Sequence, residues 1–347
     1  MTITTIGIDL AKNVFQVHGV DERGQAVLRK TLKRAELRRF FANLPTCLIG
    51  MEACSSAHYW GRELAALGHS VRLMAPQFVK PYVKANKNDA RDAEAICEAV
   101  SRPSMRFVAV KTVEQQGLLA LHRARQGFVA ARTAQANQIR GFLGELGIVM
   151  PKGIGQISEK LPGILEDGEN GLSGVSRELM ARLFVHLREL DRQVKELEGQ
   201  IVSHHRQNAA SQGLQKVPGI GPLTASALVA SVGDARVFKN GRQLAAWLGL
   251  VPRQHSSGGK ERLLGISKRG DVYLRTLLVH GARAVLRRAS ERPEQAKSWV
   301  RRLSERRHSN IAVVALANKN ARIAWALLAH GRSYQADYRT ENVAAAA

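Results

Sequence analysis

Short apolar runs and helix-spaced apolar positions alternate through the first hundred residues. Residues 3–9 are rich in Ile and Thr with a two-residue alternation, a strand pattern that ends on one acid, Asp9. Residues 14–20 continue it, with Gln16 and His18 on one face and Phe15 and Val17 on the other. A turn at 21–25, where Gly24 supplies the difficult backbone, leads to a third strand at 26–32, so an antiparallel meander is expected. Leu37, Phe40, Phe41 and Leu44 are spaced at three and four and predict a helix over 34–44. A second apolar strand, 46–51, also runs into an acid, Glu52. Ser55 stands where an N-cap would open a helix over 56–67, with Gly68 as its stop. A short strand at 71–74 and a helix at 89–101 complete a mixed α/β sheet domain over residues 1–110.

From about 112 the period becomes helical. Leu118, Leu121, Phe128, Ile139, Phe142, Leu143 and Leu146 mark one long helix, and Leu179, Leu183, Leu187, Leu190, Val194, Leu197 and Ile201 mark a second. The Gly- and Pro-rich stretch 147–171 between them reads as a loop. Two long amphipathic helices with a break suit an antiparallel coiled-coil arm over 111–210, and an ordinary helical subdomain fits the same pattern. The last third, 211–335, is expected to be all helical, with helices at 241–248, 271–288, 294–304 and 311–329 and a disordered Ala-rich tail at 336–347. It opens on Pro218-Gly219-Ile220-Gly221, the pattern of a helix-hairpin-helix. Gly219 and Gly221 permit a sharp turn and leave N–H groups at a helix start, where phosphate binds without base contacts. A tight turn with only a packing role is the alternative.

Charge turns the question from fold to partner. Fifty-two Lys+Arg stand against 29 Asp+Glu, a formal +23 over 347 residues, the footprint of a polyanion such as DNA or RNA. The excess is uneven: residues 1–110 carry 16 bases and 10 acids, residues 251–347 carry 19 and 7. Three cysteines, Cys47, Cys54 and Cys97, make neither a disulfide framework nor a zinc spacing, which suits a reducing cytoplasm. No early signal pattern and no run of about 18 uninterrupted apolar residues appears, so no membrane span is expected.

The acids carry the candidate chemistry. Asp9 and Glu52 close two strands, and Asp89 and Asp92 share one helix face at i, i+3. Four carboxylates so placed suit Mg2+ or Mn2+, hard cations that activate a nucleophile and stabilise a leaving oxygen in phosphoryl transfer. Taken singly, Asp89 is equally a helix N-cap and Asp92 a partner for a nearby base. A second chemistry is offered by Ser256-Ser257-Gly258-Gly259-Lys260, where a serine between glycines and cations can approach a phosphodiester and form a covalent phosphoserine. Loops are also made of such residues, and either serine fits.

The order of strands and helices resembles the ribonuclease-H/RuvC-like fold. Gly-Ile-Asp at 7–9, Glu52, Asn88-Asp89-Ala90-Arg91-Asp92-Ala93, Pro218-Gly219-Ile220-Gly221, Leu248-Gly249-Leu250-Val251-Pro252-Arg253, the serine segment and Gly265-Ile266-Ser267-Lys268-Arg269-Gly270 occur in one order over about 3–330. Together they resemble the insertion-sequence one-ten family of transposases, in particular its one-eleven-eleven branch. That resemblance implies a RuvC-like domain whose Asp-Glu-Asp-Asp set falls on Asp9, Glu52, Asp89 and Asp92. It also implies a coiled-coil segment and a C-terminal transposase domain whose nucleophile falls on Ser257, with Ser256 its neighbour. It further implies donor and target double-stranded DNA, a structured bridge RNA, and a homo-oligomer, dimer or tetramer, with shared active sites, in the bacterial cytoplasm at the nucleoid. Lys260, Arg262, Lys268, Arg269 and Arg275 become phosphate-contact candidates. Arg262-Leu263-Leu264-Gly265 departs from the family's Arg-Leu-Gly by one residue. A RuvC-like junction nuclease with no covalent step, and a non-catalytic nucleic-acid-binding protein, are the rival readings.

Overall fold

The computed structural model describes residues 2–84, 88–291 and 299–336. Two compact units divide the chain, Met1–Glu114 and Gln115–Ala347. The first is built on a six-stranded sheet. β1 (Thr5–Leu10), β2 (Val14–Val20) and β3 (Ala26–Lys33) form the expected meander, followed by α1 (Leu37–Ala42), β4 (Leu48–Glu52), α2 (Ala57–Ala66), β5 (Ser70–Met74), α3 (Pro76–Val79), a 3-10 turn at Lys80–Tyr82, α4 (Asp89–Val100) and β6 (Phe107–Val108). Strand order is β3-β2-β1-β4-β5-β6, with β4 parallel to both β1 and β5 and the outer pairs antiparallel.

The two-residue alternation of β1 decides which helix covers which face. Ile6 and Ile8, with Phe15, Val17, Ile49, Met51 and Leu73 beside them, bury one face under Leu37, Phe41, Trp60 and Leu64 of α1 and α2. Gly7, Asp9, Gly50 and Glu52 alternate to the opposite face, over which α4 lies. Two local readings change. The helix expected to be capped by Ser55 starts at Ala57, and Ser56 precedes it with φ +66° and no capping bond. β6, only two residues long, carries too little pattern to be seen in sequence.

The second unit is helical apart from one hairpin. α5 (Val113–Glu145), whose start lies at the unit boundary, and α7 (Gly174–Arg206) run antiparallel. Arg125 Nε donates to Glu198 at 2.8 Å, Arg132 Nη1 to Asp191 at 2.6 Å, and Gln135 pairs with His186 at 2.9 Å. The Gly/Pro-rich stretch read as a loop contains α6 (Ile154–Glu166), with Pro162 inside it. Ile157 and Leu161, four apart, bury against Ile139, Leu143 and Leu187 at the far end of the helix pair, and this burial outweighs the cost of the proline. Then follow α8 (Ala209–Gln215), α9 (Pro222–Val232), a 3-10 turn at Ala235–Val237, α10 (Gly241–Trp247), β7 (Pro252–Gln254), β8 (Leu263–Ile266), α11 (Val272–Glu291), α12 (Trp299–Arg306) and α13 (Ser309–His330). By length and composition α13 could cross a membrane, yet Val313, Leu316, Ala317, Ala321 and Ala324 lie inside the helical core with Leu228, Leu244, Leu274 and Leu278. Residues 337–347 of the expected tail, and the start of the helix expected at 294–304, fall outside the described residues.

A buried polar network ties α5 to this core. His122, 1% exposed, pairs with Tyr273 Oη at 3.0 Å and Ser226 Oγ at 3.1 Å. Burial, and then the nearby Arg125 cation, hold its pKa down at about 4 against an ordinary 6.5. Between those values the unfolded chain binds a proton that the folded chain refuses, so stability rises with pH. The contribution is complete above pH 6.5 and is lost as pH falls toward 4, at most about 3 kcal/mol. Urea unfolding at pH 7 and pH 4.5 should therefore show a fall for the wild type, and a smaller one for His122→Gln. Equal falls in both would remove His122 from the acid sensitivity.

Candidate functional site

The acid cluster is made by how closely α4 approaches the sheet. A Cβ at Gly7 would sit 2.2 Å from the Ala93 carbonyl oxygen and 2.4 Å from the Cys97 nitrogen; one at Gly50 would sit 2.7 Å from Val100 Cβ. Glycine at 7 lets the helix backbone come so near, and glycine at 50 makes room for the Val100 side chain. The facing residues Ala93, Cys97 and Val100 recur at four and three, and the Cys97 thiol reaches the Thr5 carbonyl at 3.7 Å. Burial raises that thiol to about 11, so it is an inert packing group.

This approach sets the first turn of α4 over the end of β1. One carboxylate oxygen each from Asp9, Asp89 and Asp92 lies within 4.8 Å of the others. Asn88 supplies the N-cap, its side-chain oxygen accepting from the Ala90 N–H at 3.0 Å, so Asp89 is not the cap. Among the described residues neither Asp89 nor Asp92 has an ion-pair partner. The positive end of α4 favours both acids, while three like charges this close repel one another. The donor set is all hard oxygen and half open to solvent, which fits a divalent cation.

Glu52 is outside that group of three but adjoins it. The parallel register Ile8↔Met51 sets Asp9 and Glu52 side by side at the ends of β1 and β4. The thiol of Cys54 senses both: burial raises its pKa most, then Glu52, then Asp9. The positive-φ Ser56 lies in the same turn, four residues past Glu52.

The serine segment forms an exposed β-hairpin rather than an irregular loop. β7 and β8 pair antiparallel, and Ser257-Gly258-Gly259-Lys260 is a two-residue turn with φ +55° and +75° at the glycines. Lys260 N–H donates to the Ser257 carbonyl at 3.1 Å. The two serines differ. Ser256 Oγ accepts from the Arg262 N–H at 3.3 Å and from Gln254 Nε2 at 3.0 Å, so it is part of the hairpin's own bonding. Ser257 stands at the tip, exposed, beside exposed Lys260. Arg262, Lys268 and Arg269 are exposed too, with Lys268 at φ +54°.

Arg275 has a different task from the other bases. It is 9% exposed, and its Nη1 donates to the carbonyls of Leu248 and Arg269, each at 3.0 Å. Those carbonyls flank the two chains entering the hairpin, so Arg275 clamps its base. Gly249 and Gly270 interlock there: a Cβ at either would lie about 2 Å from a carbonyl oxygen, of Arg269 or of Trp247. The Pro218–Gly221 turn joins α8 to α9, with φ +90° at Gly219 and Gly221 at the N-cap of α9. Its partners were not legible in sequence: a Cβ on Gly281 would fall 1.8 Å from the Gly219 oxygen, and Asn320 Nδ2 donates to the Pro218 carbonyl at 2.8 Å.

Known families match both parts of the chain. An IS110 transposase family of the DEDD type matches residues 6–148, the segment bearing all four acids, and the family described as "Transposase IS116/IS110/IS902 family" matches residues 211–298, which hold the hairpin. The chain belongs to this family of insertion-element transposases, and its substrate is DNA. It is 55% identical to a Pseudomonas aeruginosa protein named "Probable family 20 transposase" over 96% of this chain and 99% of that one. It is 47% identical to the transposase for insertion sequence element IS1111A of Coxiella burnetii, over 96% and 92%, and 45% identical to that for IS1328 of Yersinia enterocolitica, over 95% and 98%.

The close approach of α4 is testable by glycine substitution. Gly7→Ala should destabilise the fold by about 1–3 kcal/mol, because backbone rather than a yielding side chain meets the new methyl. Gly117→Ala, inside α5 with open space around it, should stabilise by about 0.5–1 kcal/mol. Denaturant midpoints decide it, and a neutral Gly7→Ala would mean that α4 does not need the bare strand.

Proposed function

We propose that the chain is a divalent-metal-dependent DNA recombinase that excises and inserts its own mobile element, guided by a structured RNA and passing through a serine-linked intermediate. The observation that carries this reading is the convergence of Asp9, Asp89 and Asp92, within 4.8 Å, at the end of a strand beside Glu52. Those four residues would hold Mg2+ or Mn2+, which supplies charge stabilisation at a phosphate under cleavage. The acids themselves are fixed rather than searching: Asp9 and Glu52 by the sheet, Asp89 and Asp92 by the capped first turn of α4.

The covalent step falls to Ser257. Its Oγ attacks phosphorus, the Oγ–P bond forms as the P–O bond to the leaving deoxyribose oxygen breaks, the hydroxyl proton passes to solvent and the leaving oxygen takes one up. The engagement of Ser256 within the hairpin supports Ser257 as the reacting member of the pair. Lys260 and Arg262, both exposed beside it, would neutralise charge on the phosphate, and Lys268 and Arg269 would hold the strand nearby. The Ile220 N–H donates to the Val217 carbonyl at 2.9 Å and Pro222 has no N–H, so a phosphate contact at the Gly219–Gly221 turn would fall to the first turn of α9. The net charge of +23 supports a complex in which RNA and donor and target DNA are held together, by a dimer or tetramer of this chain, at the nucleoid in the bacterial cytoplasm.

Two measurements test the halves separately. Adding Mg2+ or Mn2+ should raise the thermal midpoint of the wild type and leave that of Asp9→Asn unmoved. The same variant should lose strand cleavage by roughly 100-fold or more while still binding DNA; normal recombination by it would end the metal assignment. Denaturing gels should show a protein–DNA adduct for the wild type and Ser256→Ala but none for Ser257→Ala. An adduct that persists in Ser257→Ala would remove the serine from the reaction.

A further inference from the structure

α12 lies beyond residue 298, where the matched C-terminal family segment ends. It carries Arg301, Arg302 and Arg306, with Arg307 directly after, against one acid, Glu305. Trp299, Arg302 and Arg306 are spaced i, i+3, i+7 and so share one face. The Trp299 ring is 40% exposed, whereas Trp60 is 4% exposed and Trp247 and Trp325 are half-buried in the core. Lys319 of α13 lies over the indole, its Nζ 4.8 Å from the ring centroid, which holds the ring in place. Beside it is an open recess of about 510 Å³, lined by Trp299, Arg302, Glu305 and Arg306. Arg301 engages Glu305 at 3.4 Å, so the recess is bordered mainly by cations.

We propose that Trp299, Arg302 and Arg306 form a stacking site for unpaired nucleotides, separate in sequence from the acid cluster and the serine hairpin. A surface indole flanked by guanidinium groups suits a base stacked on the ring with its phosphates on the arginines. A duplex does not fit as well, because its bases already stack on one another and hide their faces. A protein partner would need acids to meet this face, whereas a nucleic-acid strand brings a phosphate with every base. The inference rests on the reading that the chain handles nucleic acid, and it adds which part of the chain takes an unpaired strand.

The test uses the full-length chain in EDTA, so that no divalent cation or strand breakage enters. A thymidine oligonucleotide of about 12 residues should quench tryptophan fluorescence, since the exposed ring is Trp299. Trp299→Leu should remove most of the quenching and weaken single-strand binding about tenfold, with duplex binding little changed, and Trp299→Phe should keep most of the affinity. Neither the metal nor strand cleavage enters this measurement, so failure of one reading is distinguishable from failure of the other. Trp299→Leu binding the single strand as tightly as wild type would overturn the proposal. So would equal loss of single-strand and duplex binding, or a Phe variant no better than Leu.

Discussion

The distance between α4 and the sheet is the constraint on which the acid site depends. Of two bare strand positions, Gly7 lets the helix settle with its own carbonyl and amide groups where a side chain would otherwise stand, and Gly50 makes room for the Val100 side chain. The matching residues on the helix are small, Ala93 and Cys97, or branched and fitted to one glycine, Val100. Because strand side chains alternate, the residue two beyond Gly7 emerges on the same face just past the buried contact. That residue is Asp9, and Glu52 bears the same relation to Gly50. The glycines therefore position the carboxylates. The apolar face opposite, Ile6, Ile8, Ile49 and Met51, supplies the burial that offsets mutual repulsion among the acids.

The hairpin answers a similar problem by other means. A two-stranded ribbon with no buried face is marginal by itself, and residues 253–264 are all exposed. Its order is imposed at the base, where Gly249 and Gly270 pass backbone against backbone and Arg275 bonds the carbonyls of both entering chains. A buried arginine donating to neutral carbonyls is a costly arrangement in isolation. It is retained where one rigid, many-donor group is needed to fix two segments at once. The reactive end can then remain polar and open while its anchor belongs to the helical core.

Legibility in sequence followed burial. The three-strand meander, β4 ending in Glu52, and the two long helices all present one buried face, so their periods were readable. So were Asp9, Asp89 and Asp92 as partners, because each sits at an element terminus whose register the pattern fixes. What escaped had no period or a misleading one. α6 was hidden by its Pro162 and glycines, although Ile157 and Leu161 bury as a helical pair. The hairpin has no buried face to alternate, so its serines, glycines and bases resembled a loop. Arg275 looked like one more surface cation because the carbonyls that bury it lie 6 and 27 residues away. Gly281 and Asn320, which hold the Pro218–Gly221 turn, are separated from it by an even longer stretch of chain.

The placement of acids within so basic a chain constrains how it can work. Four of the five acids on α7 are consumed by bases: Glu198 by Arg125, Asp191 by Arg132 and Lys195, Glu189 and Glu196 by Arg192. The trio at the end of β1 is built differently, with like charges gathered and, for Asp89 and Asp92, no base among the described residues to neutralise them. Such a cluster repels the very phosphates that the rest of the surface attracts. In the proposed reaction a bound divalent cation would offset two of those negative charges and give a phosphate oxygen a positive centre to meet. The same carboxylates that would exclude DNA when bare then become the means of holding it at the point of cleavage. On this argument the cation is needed for the strand to enter the site at all, before any chemistry begins.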